Sequence, residues 1–127
     1  MSVPTQKILI IACHALVLWI LCGATMAIGR ALIGIETTLV IHALAAPALA
    51  VLISLNYFKR YRFTTALWTA FIFTAAVMVL DAGLVAPVFE KSYAMFASIL
   101  GTWLPFGLIF LATLLTGLAL RRSDEKR

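Results

Sequence analysis

Apolar positions in this chain gather into four long runs separated by short polar breaks. The runs extend from about Ile8 to Gly29, Thr38 to Tyr57, Thr64 to Ala86, and Tyr93 to Leu120. Each approaches or exceeds the roughly 20 residues that a helix needs to cross the hydrocarbon core of a bilayer. The alternation that marks a strand is absent, and the runs are too long for barrel strands. The pattern predicts an all-α integral membrane protein, a single domain over 1–127 with helices at about 8–29, 38–57, 64–86 and 93–120 and a charged tail over 121–127. The fourth run is the longest, so that helix is expected to tilt or to extend past the membrane.

The breaks are brief. Arg30 to Thr37 holds Gly34, which permits a turn. The middle break is Phe58-Lys59-Arg60-Tyr61-Arg62-Phe63, and the last runs from Pro87 to Ser92. Loops this short make successive helices antiparallel neighbours in a four-helix bundle.

Composition strengthens this picture. Of 127 residues, 64% are hydrophobic and 12% are charged, against roughly 25% charged in an ordinary soluble domain. A soluble fold of this size has too little interior to hide so much apolar surface. Ten Lys and Arg outweigh five Asp and Glu. The basic residues stand at the ends of apolar runs, which points to lipid headgroups and topology rather than to nucleic acid.

Those basic residues predict an orientation. Lys7, Lys59, Arg60, Arg62, Arg121, Arg122, Lys126 and Arg127 fall on one side, and only Arg30 and Lys91 on the other. The positive-inside rule therefore places both termini and the middle loop in the cytoplasm, and the expected address is a bacterial inner membrane. Tyr57, Phe58, Tyr61, Phe63 and Trp68 would form the inner aromatic belt, and Phe89, Tyr93 and Phe96 the outer one. Lys7 before an apolar stretch imitates a cleaved leader. The stretch exceeds the roughly 7–15 residues of such a segment, so it is expected to remain as the first helix.

Two cysteines, Cys13 and Cys22, share the first run on different helical faces and read as packing residues. An offset of 58 residues lays Pro47 on Pro105, but the flanking residues hardly match, so no duplication is expected.

Ionisable groups inside a membrane are costly and are functional candidates by default. Asp81 stands about 25 Å along the third helix from its cytoplasmic start, with Thr74 two turns behind on the same face. It reads either as a proton- or cation-binding carboxylate or, more simply, as an outer acid paired with Arg30 or Lys91. His42 lies about one turn inside the outer end of the second helix and precedes Ala43-Leu44-Ala45-Ala46-Pro47. Pro47 frees the carbonyl of Ala43, which sets a titratable ring beside an expected kink. Pro105 does the same to Gly101 in the fourth helix. Gly23 and Ala27 form a small-x-x-x-small pair suited to helix contact. Arg30, Glu36, Glu90 and Lys91 form an expected outer rim. His14 stands near the inner face, too far in height from His42 for both to hold one haem iron.

No catalytic, cofactor or metal signature is present in the sequence, so none is expected. Three functions remain open. The first is conduction or transport of a small solute or ion by a homo-oligomer, with His42, Asp81, Thr74 and the two prolines along the route. The second is a non-catalytic anchor, assembly or regulatory subunit of a larger membrane complex. The third is a lipid- or quinone-directed enzyme built on a His42–Asp81 acid–base pair, which lacks an evident nucleophile.

Overall fold

The computed structural model describes residues 3–125, so Lys126 and Arg127 of the basic tail lie outside the described residues. The described chain is all-helical. Helix α1 covers Val3–Ile33 and α2 covers Ile35–Arg60. Helix α3 covers Ala66–Leu80 and continues in a wider π-helical form over Asp81–Phe89. A 3-10 turn at Ala94–Ala97 and a π-helical turn at Ile99–Trp103 lead into α4, Leu104–Glu125. Four segments are long and apolar enough to span a membrane: Pro4–Ile33, Ile35–Arg60, Ala66–Phe89 and Ile99–Arg122. Their outer faces carry large apolar side chains; Leu44 is 71% exposed and Val79 is 69% exposed, which suits lipid and not water.

Small residues set the seams. Packing between apolar helices in lipid depends on close van der Waals approach, which small side chains permit. Ala43, Ala46, Ala50 and Ser54 recur at helical spacing on α2 and are all buried. On α4, Phe106, Ile109 and Thr113 are buried in turn, and α2 and α4 share the most extensive contact in the bundle. A Cβ on Gly117 would come within 2.5 Å of the Ala66 Cβ and 2.8 Å of the Phe58 ring, so α4 touches α3 and α2 at once there. A Cβ on Gly29 would meet Thr38 at 2.6 Å, which closes one end of the α1–α2 seam. Gly23 is different: nothing lies within 4 Å of its Cβ position, so the Gly23–Ala27 pair makes no seam within the chain.

The first and last breaks differ from the sequence reading. Only Gly34, at φ 84, interrupts the helices between Val3 and Arg60. The break expected over Arg30 to Thr37 is therefore helical on both sides of one left-handed glycine. The break expected from Pro87 is instead the end of the π-helical stretch, which holds Pro87 within it and carries the span to Phe89. Proline removes a backbone donor and obstructs the regular turn, and a widened turn accommodates both. The fourth span begins at Ile99 rather than Tyr93, because Tyr93 to Ser98 folds as a separate turn. Pro105 stands two residues after a π-helical turn closed by Leu104 N–H donating to the Ile99 carbonyl. The expected disturbance of the helix is thus a change of helical width.

The turn between α2 and α3 is built on Tyr57. Its ring is fully buried. Its hydroxyl accepts the backbone N–H groups of Phe63 and Thr64, each at 3.0 Å. With both acceptor positions filled, its proton goes to Thr64 Oγ1 at 2.8 Å. Thr69 Oγ1 donates to the Thr65 carbonyl at 2.7 Å, so it must accept from Thr64 Oγ1 at 2.6 Å. The result is a directed chain, Tyr57 to Thr64 to Thr69 to the Thr65 carbonyl. Sequence reasoning gave Tyr57 and Phe58 to an aromatic belt; both rings are buried within the bundle, and the Tyr57 hydroxyl organises the turn from within.

Tyr57→Phe is expected to leave two turn amides without their acceptor and to lower stability by about 1–3 kcal/mol. A reduced thermal midpoint in mild detergent, larger than for the exposed control Tyr61→Phe, is the outcome to look for.

Candidate functional site

Asp81 is the first residue of the π-helical stretch, where α3 has already crossed most of its span. Its Oδ1 accepts the indole N–H of Trp19 at 2.9 Å. Trp19 stands near the middle of α1, eleven residues before Arg30, which amounts to about 16 Å of helical rise. The carboxylate is therefore held well below the rim. Arg30 pairs with Glu90 instead, at the surface. The simpler sequence reading, Asp81 joined to Arg30 or Lys91, gives way for this reason: α1 offers a neutral donor at the level of the acid and places its cation about three turns higher. The Arg30–Glu90 pair is exposed and contributes little energy. Glu36 lies in the first turn of α2, where the helix dipole favours an acid. Lys91 takes a left-handed backbone conformation, at φ 55, in the turn that follows Phe89.

His42 is buried on α2, four residues from the fully buried Thr38 and Ala46 on either side. Its Nδ1 has no hydrogen-bond partner among the described residues. Pro47 follows one turn later inside an unbroken helix. Thr74 lines a groove of about 520 Å³ between α3 and α4, together with Phe71, Met78, Trp103, Phe106 and Phe110. Its hydroxyl is enclosed and unpartnered, so the groove presents an apolar wall. A second groove of about 420 Å³, between α1 and α2, is lined by Leu21, Thr25, Ile28, Leu32 and Leu49 among others. Neither groove is lined by Asp81 or His42. The three candidates His42, Asp81 and Thr74 are thus not gathered into one of these spaces.

Near the other end of α1, His14 Nδ1–H donates to the Ile10 carbonyl at 2.8 Å. That leaves Nε2 as an acceptor, and Asn56 Nδ2 donates to it at 2.8 Å. The ring also meets Tyr57 and Tyr61 edge-on at 5.5 Å. Both ring nitrogens are committed, and Asn56 and His42 are about 21 Å apart along α2. Among the described residues, no three His, Cys, Asp or Glu side chains converge as a metal site would require. Cys22 is buried and Cys13 faces outward.

Ahead of the fourth span, Thr102 Oγ1 donates to the Met95 carbonyl at 2.5 Å, and Trp103 Nε1–H donates to the Phe96 carbonyl at 2.7 Å. Ser98 caps the same turn by accepting the Gly101 N–H at 2.9 Å. These bonds fasten the segment from Tyr93 to Ser98 over the start of the fourth span.

Two participants escaped the sequence reading, Trp19 and Asn56. Each was an isolated polar-tipped residue in an apolar run, and its partner lies 62 or 42 residues away. A tryptophan in mid-run, away from the interfaces where it is usual, was the available signal. Comparisons with family models, curated proteins and solved structures return no match.

Trp19→Phe is expected to leave Asp81 Oδ1 without its donor and to cost about 1–3 kcal/mol. Asp81→Asn, which keeps an acceptor oxygen, should cost less. Thermal midpoints in detergent, read beside the Trp19 indole resonance in a ¹⁵N spectrum, check both outcomes.

Proposed function

We propose that this chain is a non-catalytic subunit of a larger membrane assembly. In this reading four antiparallel helices hold it in a bacterial inner membrane, with both termini and the turn between α2 and α3 in the cytoplasm. The orientation rests on the basic residues: Lys7, Lys59, Arg60, Arg62, Arg121 and Arg122 at one end against Arg30 and Lys91 at the other.

The observation that carries the subunit reading is the dispersal of the polar groups. Asp81 is bonded to Trp19, His42 is enclosed on α2 with a nitrogen unpaired among the described residues, and Thr74 lines an apolar groove with its hydroxyl enclosed. A carrier or channel needs such groups to line a common path. Here they join helix to helix or await a further partner, as intramembrane polar residues do at helix contacts. Nothing favours the enzyme reading: Asp81 is bonded to Trp19, and His42 Nδ1 has no partner among the described residues.

Conduction by a homo-oligomer is the second reading, favoured by one observation: a carboxylate held far from the rim, which is costly in lipid unless it is used. The two are separated by reconstituting the purified chain in liposomes. The subunit reading expects no proton or cation flux above protein-free vesicles. A flux that Asp81→Asn abolishes would replace it with conduction. For orientation, in a background with Cys13 and Cys22 changed to Ala, a membrane-impermeant maleimide added to intact cells is expected to label Ser92→Cys and to spare Lys59→Cys. The reverse labelling would invert the proposed topology.

A further inference from the structure

The carboxylate of Asp81 is incompletely used. An ionised carboxylate offers about four lone-pair positions, and Trp19 fills one, on Oδ1. Among the described residues Oδ2 has no partner, and it is not among the enclosed polar atoms of this half-buried residue. Beside it, α1 presents Ala12, Leu16, Trp19, Gly23 and Ala27 at spacings of four, three, four and four, which form one stripe of the helix. All except the half-buried Trp19 are exposed. Beyond Trp19 the stripe passes to the small residues Gly23 and Ala27, and the space over Gly23 is open. The open position at Gly23 therefore stands one helical turn from the residue that holds the acid, on the flank where α1 and α3 share less contact than the other packed pairs of spanning helices.

We infer that this flank, centred on Asp81, Gly23 and Ala27, docks a transmembrane helix of a partner protein that carries a lysine or arginine near its middle. The inference rests on the subunit reading and adds the chemistry of the partner. A basic side chain supplies the hydrogen-bond donors and the opposite charge that Oδ2 lacks, inside a medium where neither group is stable alone. Gly23 and Ala27 let the partner backbone approach closely enough for a side chain to reach past Trp19.

The probe is a polyleucine transmembrane peptide with one central lysine. Matched peptides carry leucine or glutamine at that position. Association with the full chain is measured by energy transfer in lipid vesicles. The lysine peptide is expected to bind about tenfold or more tightly than the leucine peptide. Asp81→Asn should abolish that preference, and Asp81→Glu should retain it. Gly23→Leu should weaken lysine-peptide binding with the fold intact, because its side chain points into open space. The retained Trp19 indole resonance certifies the fold of each variant. Equal binding of lysine and leucine peptides, equal binding of lysine and glutamine peptides, or a preference that survives Asp81→Asn overturns the inference. A cation flux from the chain alone would overturn the subunit reading while leaving the peptide preference standing, so the two failures are distinguishable.

Discussion

In a segment surrounded by hydrocarbon, a polar group must find its partner within protein, because the solvent offers none. That constraint organises the described structure. Threonine and serine hydroxyls on the helices turn back to carbonyls of their own preceding turn: Thr25 to Leu21, Ser54 to Ala50, Thr69 to Thr65 and Thr116 to Ala112. His14 does the same with one nitrogen and gives the other to Asn56. Tyr57 uses every bonding position of its hydroxyl in the turn between α2 and α3. Where the constraint is met locally, the outer surface of each helix is left free to be apolar.

The exceptions then carry the meaning. His42 Nδ1, Thr74 Oγ1 and Thr113 Oγ1 are enclosed without partners, and Asp81 has an oxygen to spare. Such groups weigh against stability in low dielectric. Among them, only Asp81 keeps a polar atom that is not enclosed, and the residue that holds it, Trp19, stands one turn from the open position at Gly23. The same logic assigns the glycines. Gly29 and Gly117 are small because a neighbouring element occupies the space of a side chain, whereas Gly23 is small with nothing yet in that space.

The spans were legible because crossing a bilayer imposes length and composition, and both can be counted along the chain. The small stripe on α2, from Ala43 to Ser54, was partly visible as well. What could not be read was which polar groups meet. Asp81 had cations at its expected height, and charge alone favoured Arg30 or Lys91; the neutral Trp19 came to it because α1 and α3 pack side by side, a long-range fact. Tyr57 looked like an interfacial aromatic, since its burial depends on how the following turn folds back beneath it. The widened helices around Pro87 and before Pro105 were announced only as the start of a break and as a kink. Proline removes a donor, but the sequence does not say whether the chain bends, stops or changes its pitch.

Gly34 has an effect out of proportion to its size. A helix of 31 residues and another of 26 are joined through this single left-handed position. Connectors in most proteins tolerate drift in length because they carry slack. Here one added residue would swing α2 by about 100° about its axis and turn the alanine face from Ala43 to Ser54 toward lipid. The corner between α1 and α2 thus acts as an indexing pin, since its length fixes which face of α2 meets α1.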